Sequence, residues 1–497
     1  MALIILDDSD NTRYGTSSSD TIYGLGGSDR LFGLGGADTL YGGQNNDFLQ
    51  GGAGADRLYG GSGYDTVSYT DSTSGVWIQI GGYGLYGTAD GDFIAADVEQ
   101  VDGSNYGDIL MASANGDYLR GNDGNDYLLG GAGYDVLVGG YGNDYLEGGA
   151  YVDDLYGGSG TDTVSYASSA SGVIASIGYV SQYGDAAGDY IGTDVENLTG
   201  SSNSDILYGS DTRNVLSGGG GVDMLVGGGG NDTLIGGAGG DEMYGNADED
   251  TVSYEYAGSA VRVDLYEGEG SYGEAAGDTY DSIENARGSA YNDTFLGSNG
   301  DNDFYGLNGR DFMYAAGGRD HLYGGDGDDG LAGEAGNDVL HGDIGHDTIY
   351  GGDNEDSVYG GAGNDILYGD NSFVSSFAGA DRLTGGDGND IMHGGGRGDR
   401  FIFSQDDLGD VDTIKDFHRS EGDQIYLIGI DANTAQSGNQ AFAFIGTAAY
   451  TGVAGQLRYV NTGVLTVVAG DVDGDKVSDF RIELTDAPGL IASDFVL

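Results

Sequence analysis

"GGAGADRLYGGSGYD", residues 51–65, places Asp56 and Asp65 nine residues apart, each preceded by a glycine-rich run. The spacing extends in both directions. From Asp20, every ninth residue is Asp29, Asp38, Asp47, Asp56 and Asp65, after which the phase is lost. It resumes at Asp108 and runs through Asp117, Asp126, Asp135, Asp144 and Asp153 to Asp162. It returns at Asp205, Asp223, Asp232, Asp241 and Asp250, and again at Asp293, Asp311, Asp320, Asp329, Asp338, Asp347, Asp356 and Asp365. Asp381, Asp390 and Asp399 close the series. With Asn214 and Asn302 filling the two remaining places there are 31 registered positions, and the residue two places later is apolar at every one, from Ile22 and Leu31 to Met392 and Phe401. A low-complexity acidic tract would not keep both rules together.

A unit of the form GGxGxDxUx offers six residues suited to a turn and three suited to a short strand. Glycine permits the positive-φ conformations that aim several backbone carbonyls inward. In the strand, the middle residue faces in and its neighbours face out, which accounts for the constant apolar place. Two units then make one coil, and coils stack at about 4.8 Å, the strand-pairing distance. Asp29 comes to lie over Asp47, and Asp38 over Asp56. Carboxylates about 5 Å apart at an effective dielectric near 20 repel by about 3 kcal/mol per pair. Summed along a stack, this exceeds the stability of an ordinary domain. An all-oxygen site of carboxylates and carbonyls, without His or Cys, suits a hard cation taking six to eight oxygens in a flexible cage, which selects Ca²⁺ over Mg²⁺ or Zn²⁺.

Composition agrees. The 497 residues include 102 Gly and one Pro, and the formal charge is −65. Of the 82 acids only 14 are Glu. Lys415 and Lys476 are the only lysines, so no basic stripe exists to neutralise phosphates, and nucleic acid is not an expected partner. The absence of cysteine excludes disulfides and thiolate chemistry. The opening MALIILDDSDN has a short apolar run with no preceding cation and no cleavage site, and no stretch approaches the length of a membrane span, so neither a signal peptide nor a transmembrane segment is expected.

The three long phase breaks are copies of one another: Asp65 to Asp108, Asp162 to Asp205 and Asp250 to Asp293 each span 43 residues. All begin DTVSY, and GDAAGD at 184 returns as GEAAGD at 273 and weakly as GTADGD at 87. A further break, Asp365 to Asp381, is a nonapeptide enlarged by seven residues around NSFVSSF, expected to form one bulged loop.

The nonapeptide pattern resembles the repeats-in-toxin (RTX) calcium-binding proteins over 20–67, 108–164, 205–252 and 293–401. The resemblance implies a parallel β-roll with rows of Ca²⁺ in the turns along both edges, on the order of 20 to 30 ions, ligated by the registered aspartates. After Asp399 glycine thins and longer strands appear, and DTIKDF, GDQIYL, the hairpin around DVDGDK and the ending ASDFVL resemble the C-terminal domain of serralysin-type metalloproteases. That likeness implies a β domain capping the roll and export by type I secretion machinery, which reads the acid-plus-apolar end, here Asp494, Phe495, Val496 and Leu497. Removal of these four residues is expected to leave folding nearly intact. The resulting organisation is an all-β chain: an N-terminal cap (1–19), repeats (20–67), a first insert (68–107), repeats (108–164), a second insert (165–204), repeats (205–252), a third insert (253–292), repeats (293–401) and the cap and secretion domain (402–497).

Asp471, Asp473, Asp475 and Asp479 occupy positions 1, 3, 5 and 9 of an EF-hand-like loop, but Lys476 and Ile482 stand where glycine and glutamate belong, so a plain acidic hairpin turn is the better reading. Serralysins carry zinc on HExxH in a separate N-terminal domain; His321, His341, His346, His393 and His418 form no such motif, and His341 and His346 read as outward repeat positions. No GxSxG elbow appears. The paired acids of the inserts, Asp97 with Glu99 and Asp194 with Glu196, and Glu284 in the third copy, are repeated scaffold more readily than an active site. Tyr23, Tyr41 and Tyr59, and separately Tyr127 and Tyr145, recur in every second unit and should form outward ladders, a stacking face open to glycans or to further copies of the chain. The expectation is a secreted, non-enzymatic, calcium-binding scaffold, surface-layer or adhesion protein; the alternative is an accessory or catalytic component of an exported polysaccharide-active or proteolytic system.

Overall fold

The computed structural model describes residues 2–371, 378–485 and 489–497. The enlarged turn expected at NSFVSSF falls, from residue 372 to 377, outside the described residues. Two compact units, 1–250 and 251–497, divide the chain. Each is built of parallel β-roll coils, and among the described residues the helical elements are only short 3-10 turns.

In the first unit each nonapeptide yields one strand: Thr21–Leu25, Arg30–Gly35, Thr39–Gln44, Phe48–Ala53 and Arg57–Ser62. Successive strands belong to opposite sheets, and each pairs in parallel with the next strand but one. Ile22 sits beside Leu40 and Leu40 beside Leu58 in one sheet, while Leu31, Leu49 and Val67 align in the other. The second unit repeats the arrangement, with Leu322, Leu340 and Val358 in one column and Leu331, Ile349 and Leu367 in another. All 31 apolar register residues are buried, none more than 1% exposed. Fully burying such a side chain contributes about 1.5–3 kcal/mol, and this single file per sheet supplies the large apolar side chains at the centre of the repeats.

The inserts continue the ladder. In the first, Phe93–Ile94 pairs with Arg57–Ser62, Gln100–Asp102 lies between Thr66–Ser68 and Tyr118–Asp123, and Trp77–Gln79 pairs with Ile109–Met111. The second follows the same plan through Tyr190–Ile191, Asn197–Thr199 and Ile174–Ser176. The third adds an antiparallel excursion, Arg262–Asp264 against Glu269–Ser271, beside the parallel pairing of Arg262–Asp264 with Thr294–Leu296.

Beyond Asp399 the two columns extend into longer strands. Arg400–Ser404 pairs with Gln424–Gly429, and Ile391–His393 with Val411–Ile414, which in turn pairs with Phe480–Thr485. Gln456–Asn461, Leu465–Asp471 and Phe480–Thr485 form an antiparallel meander against that edge. The last described strand, Phe495–Val496, aligns Phe495 with Ile425 and Val496 with Tyr426. Asp494 is 2% exposed, and its carboxylate takes both Arg419 Nε, at 2.7 Å, and Arg419 Nη2. Asp494, Phe495 and Val496 are therefore part of this layer, a correction to the expectation that the fold barely uses them. Arg419 is partly exposed but Asp494 is buried, so Arg419→Ala leaves that carboxylate uncompensated and should lower the stability of the calcium-loaded protein by about 1–2 kcal/mol, while Arg419→Leu with Asp494→Leu recovers most of it. Thermal or denaturant unfolding of the three proteins checks this.

Candidate metal centre

The first oxygen of each registered carboxylate zips one coil to the next. Asp20 N–H donates to Asp38 Oδ1 at 2.6 Å and Asp38 N–H to Asp56 Oδ1 at 2.7 Å, while on the other edge Asp29 N–H donates to Asp47 Oδ1 and Asp47 N–H to Asp65 Oδ1, both at 2.8 Å. The same bond links Asp108, Asp126, Asp144 and Asp162, and likewise Asp117, Asp135 and Asp153. It links Asp205, Asp223 and Asp241, and Asp232 with Asp250. In the last block it runs from Asp293 through Asp311, Asp329, Asp347, Asp365 and Asp390, and from Asn302 through Asp320, Asp338, Asp356, Asp381 and Asp399. Adjacent coils thus bring the predicted residues into vertical rows, as their spacing requires.

The second oxygen divides the positions. In Asp29, Asp38, Asp47, Asp56 and Asp65, in Asp126, Asp135, Asp144, Asp153 and Asp162, in Asp232, in Asp311 through Asp365, and in Asp381, Asp390 and Asp399, Oδ2 is buried with no hydrogen-bond donor in reach. In Asp20, Asp108, Asp117, Asp205 and Asp293 it instead accepts the backbone N–H of the residue four places earlier, Thr16, Ser104, Ser113, Ser201 and Ser289 respectively.

Donorless oxygens face a carbonyl from the next coil across a glycine. A Cβ placed on Gly42 would lie 2.4 Å from Asp47 Oδ2 and 2.6 Å from Gly60 O; one on Gly33 would lie 2.5 Å from both Asp38 Oδ2 and Gly51 O; one on Gly360 would lie 2.4 Å from Asp365 Oδ2 and 2.6 Å from Gly385 O. A side chain there would fill the cradle. Burial is the main force pushing these carboxyls upward, to about 7 in Asp47, about 8 in Asp126 and Asp135, and about 9 in Asp356 and Asp399; the N–H from the preceding coil opposes it, and neighbouring carboxylates add to it. Buried, donorless carboxylate oxygens beside inward carbonyls are the donor set a hard divalent cation takes.

The family model described as RTX calcium-binding nonapeptide repeat (4 copies) matches residues 7–67, 102–168, 190–252, 278–372 and 378–399, well over half of the chain. This chain belongs to the RTX nonapeptide-repeat family. The repeats of that family bind Ca²⁺. Among solved structures, the extracellular lipase LipA from Serratia marcescens aligns at 16% identity over 61% of this chain, with a TM-score of 0.20. The aligned part spans 39% of the lipase's own length. No curated protein matches the chain.

The RTX rows contain acids that lie beyond each unbroken run of nonapeptides. Asp56 N–H donates to Asp92 Oδ1 at 2.7 Å and Asp153 N–H to Asp189 Oδ1 at 2.8 Å, so the last residue of GTADGD and of GDAAGD carries the row through the insert. Their second oxygens are closed by phenols from the DTVSY stretch: Tyr69 OH donates to Asp92 Oδ2, Tyr166 OH to Asp189 Oδ2 and, in the third copy, Tyr254 OH to Asp278 Oδ2. Glu99 and Glu196 accept the N–H groups of Asp65 and Asp162 at 2.8 Å, and Asp97 and Asp194 accept from Gly61 and Gly158. In the third insert, Glu284 O accepts from Asn302 Nδ2. The visible signal was the phase itself, since Asp92 follows Asp65, and Asp189 follows Asp162, by a whole number of nonapeptides. At the C-terminal end Asp412 and Asp423 take over from Asp390 and Asp399.

Elsewhere, Asp471, Asp473 and Asp479 bring carboxylate oxygens within 4.8 Å of one another. Asp471 accepts the N–H groups of Gly474 and Lys476, and Asp479 that of Val472, the bonding of a hairpin turn. His341 is stacked between Tyr323 and Tyr359, at 5.1 and 4.6 Å between ring centroids, and His346 is exposed.

The raised carboxyls set the pH behaviour of the metal-free protein. A pKa above the ordinary value of 3.8 means that the fold favours the protonated form: the resulting stability is fully present below about pH 4 and is lost as pH rises through the 6 to 9 range of these groups. Metal-free protein should therefore gain β-structure on acidification from pH 9 towards 4, followed by circular dichroism; loss of β-structure over that interval would show that the buried carboxylates do not govern folding.

Proposed function

We propose that this chain is an exported RTX protein whose calcium-loaded roll serves outside the cell as a structural, surface-layer or adhesion scaffold. The observation that carries the reading is the repeated row of buried carboxylate oxygens without donors, which makes the roll dependent on a cation that is scarce in cytosol and abundant outside. Sites of the extracellular type bind at about 10⁻⁴ to 10⁻³ M, so the chain stays unfolded during synthesis and transit and folds after exit. On the order of 20 to 30 ions, if the rows fill, offset about 40 to 60 of the negative charges. The registered aspartates whose second oxygen takes no N–H from four residues back, with the carbonyls they face, are the ligands; the ion supplies the positive charge that lets the coils approach.

The C-terminal layer is read as a serralysin-like cap, delivered by type I machinery. Burial of Asp494 and Phe495 in that layer supports an address that is legible only before folding. A non-enzymatic role is supported by the inserts: the acids that pair in sequence accept backbone N–H groups from neighbouring coils and act there as substitutes for repeat aspartates. The tyrosine ladders favour assembly or glycan stacking. Tyr23, Tyr41 and Tyr59 stack at 4.6 and 4.9 Å with near-parallel rings, and Tyr127 and Tyr145 at 4.2 Å.

At neutral pH, circular dichroism in chelator should report a largely disordered chain that millimolar calcium converts to β-structure. Electron microscopy of the calcium-loaded protein should then reveal ordered lateral or end-to-end assemblies. A strong β-spectrum in chelator would sink the coupling of folding to calcium, and a uniform monomer would turn the reading towards an accessory role.

A further inference from the structure

The two classes of registered position differ in one backbone torsion. Wherever the residue four places before the register position is described and is not Ser or Thr, it lies in the left-handed region: Gly43 at φ 120° before Asp47, but also Leu25 at 78°, Asn122 at 82°, Ala316 at 76° and Glu334 at 75°. A non-glycine residue in that region carries a strain of about 1 kcal/mol or more, so the conformation is being held by something. Where that residue is Thr16, Ser104, Ser113, Ser201, Ser210, Ser289 or Ser298, φ is not positive. Its own N–H then reaches a side-chain oxygen of the register residue, at 2.7 Å for Thr16 and Ser113, 2.6 Å for Ser104, Ser201, Ser210 and Ser289, and 2.9 Å for Ser298. The hydroxyl adds a second bond, as from Ser104 to Asp108 and from Ser201 to Asp205.

A cation at such a turn would face an N–H hydrogen and a carboxylate already satisfied. The two departures from Asp fall here: Asn214 and Asn302 both follow a serine of this kind, and their amide Nδ2 groups donate to Glu196 O and Glu284 O. At both places the amide oxygen accepts the serine N–H and the amide nitrogen is held by a backbone carbonyl, so neither is turned to a cation. Apart from Asp20, these positions are the first two registered places after each insert, and the insert acids ahead of them are closed by Tyr69, Tyr166 and Tyr254.

We infer that Ser or Thr four residues before the register position is a switch that replaces calcium with a hydrogen-bonded cap. The calcium rows therefore stop at the Tyr-closed acids Asp92 and Asp189, skip Asp20, Asp108, Asp117, Asp205, Asn214, Asp293 and Asn302, and begin anew at the following left-handed turn. This deepens the calcium reading given above and rests on it.

The test counts bound calcium in full-length protein by equilibrium dialysis, together with the calcium midpoint of folding by circular dichroism. Asp108→Asn, which copies the natural Asn214, should keep the wild-type count and midpoint, whereas Asp126→Asn should lose about one ion and need more calcium to fold. Asn214→Asp should gain nothing, while Ser210→Gly with Asn214→Asp should gain about one ion, because the turn is then free to flip. Equal losses from Asp108→Asn and Asp126→Asn, a gain from Asn214→Asp alone, or no gain from the double substitution would overturn the switch. If Asp126→Asn does not fold, the two Asn214 variants, which add charge at a closed turn, decide the matter. Wild-type protein that binds no calcium would instead defeat the underlying calcium reading, an outcome distinct from calcium bound at the closed turns.

Discussion

Everything in this fold turns on a carboxylate with one oxygen used and one left over. The used oxygen accepts an N–H from the coil before it and fixes the vertical register; the other is buried at the same depth and repels its counterparts above and below. Hydrogen bonding alone completes the roll geometrically but leaves it electrostatically unfavourable. The apolar file is too thin to compensate, since each nonapeptide places one such side chain in the centre, against the conformational entropy of the whole ordered unit. A cation between the coils would supply the attraction that the chain lacks, and the −65 formal charge is the ground for the proposed dependence of folding on calcium.

Much of this was legible in the order of residues. The apolar residue two places after each registered position is buried throughout, and the pairing of Ile22 with Leu40 follows from two units per coil. Period and residue type suffice there because a coil has few ways to close. The inserts were opaque for a physical reason: their coils keep the ladder but abandon the nonapeptide. Val101 stacks beside Val67 and Ile78 beside Leu110, pairs whose separations in the chain are not multiples of nine, so a count by nines loses them.

The second oxygen was less accessible still. An aspartate at the right interval reads alike until the residue four places back is examined, and what Ser104 does there that Gly43 does not, donating its N–H to the second oxygen, is visible only in the structure. The chemical hint lay in Asn214 and Asn302, which break the aspartate rule without breaking the apolar one. Likewise DTVSY looked like a marker of the insert's start, whereas its tyrosine is the phenol that ends a row.

Because each of the first two blocks opens on serine- or threonine-bonded turns and runs out into a tyrosine-bonded acid, a block with its insert carries its own boundary chemistry at both edges. Such a segment is modular in the genetic sense: it can be duplicated or deleted in phase without exposing an unmatched row of acids at the junction. Equal lengths of the three inserts are what in-phase copying of such a segment would give.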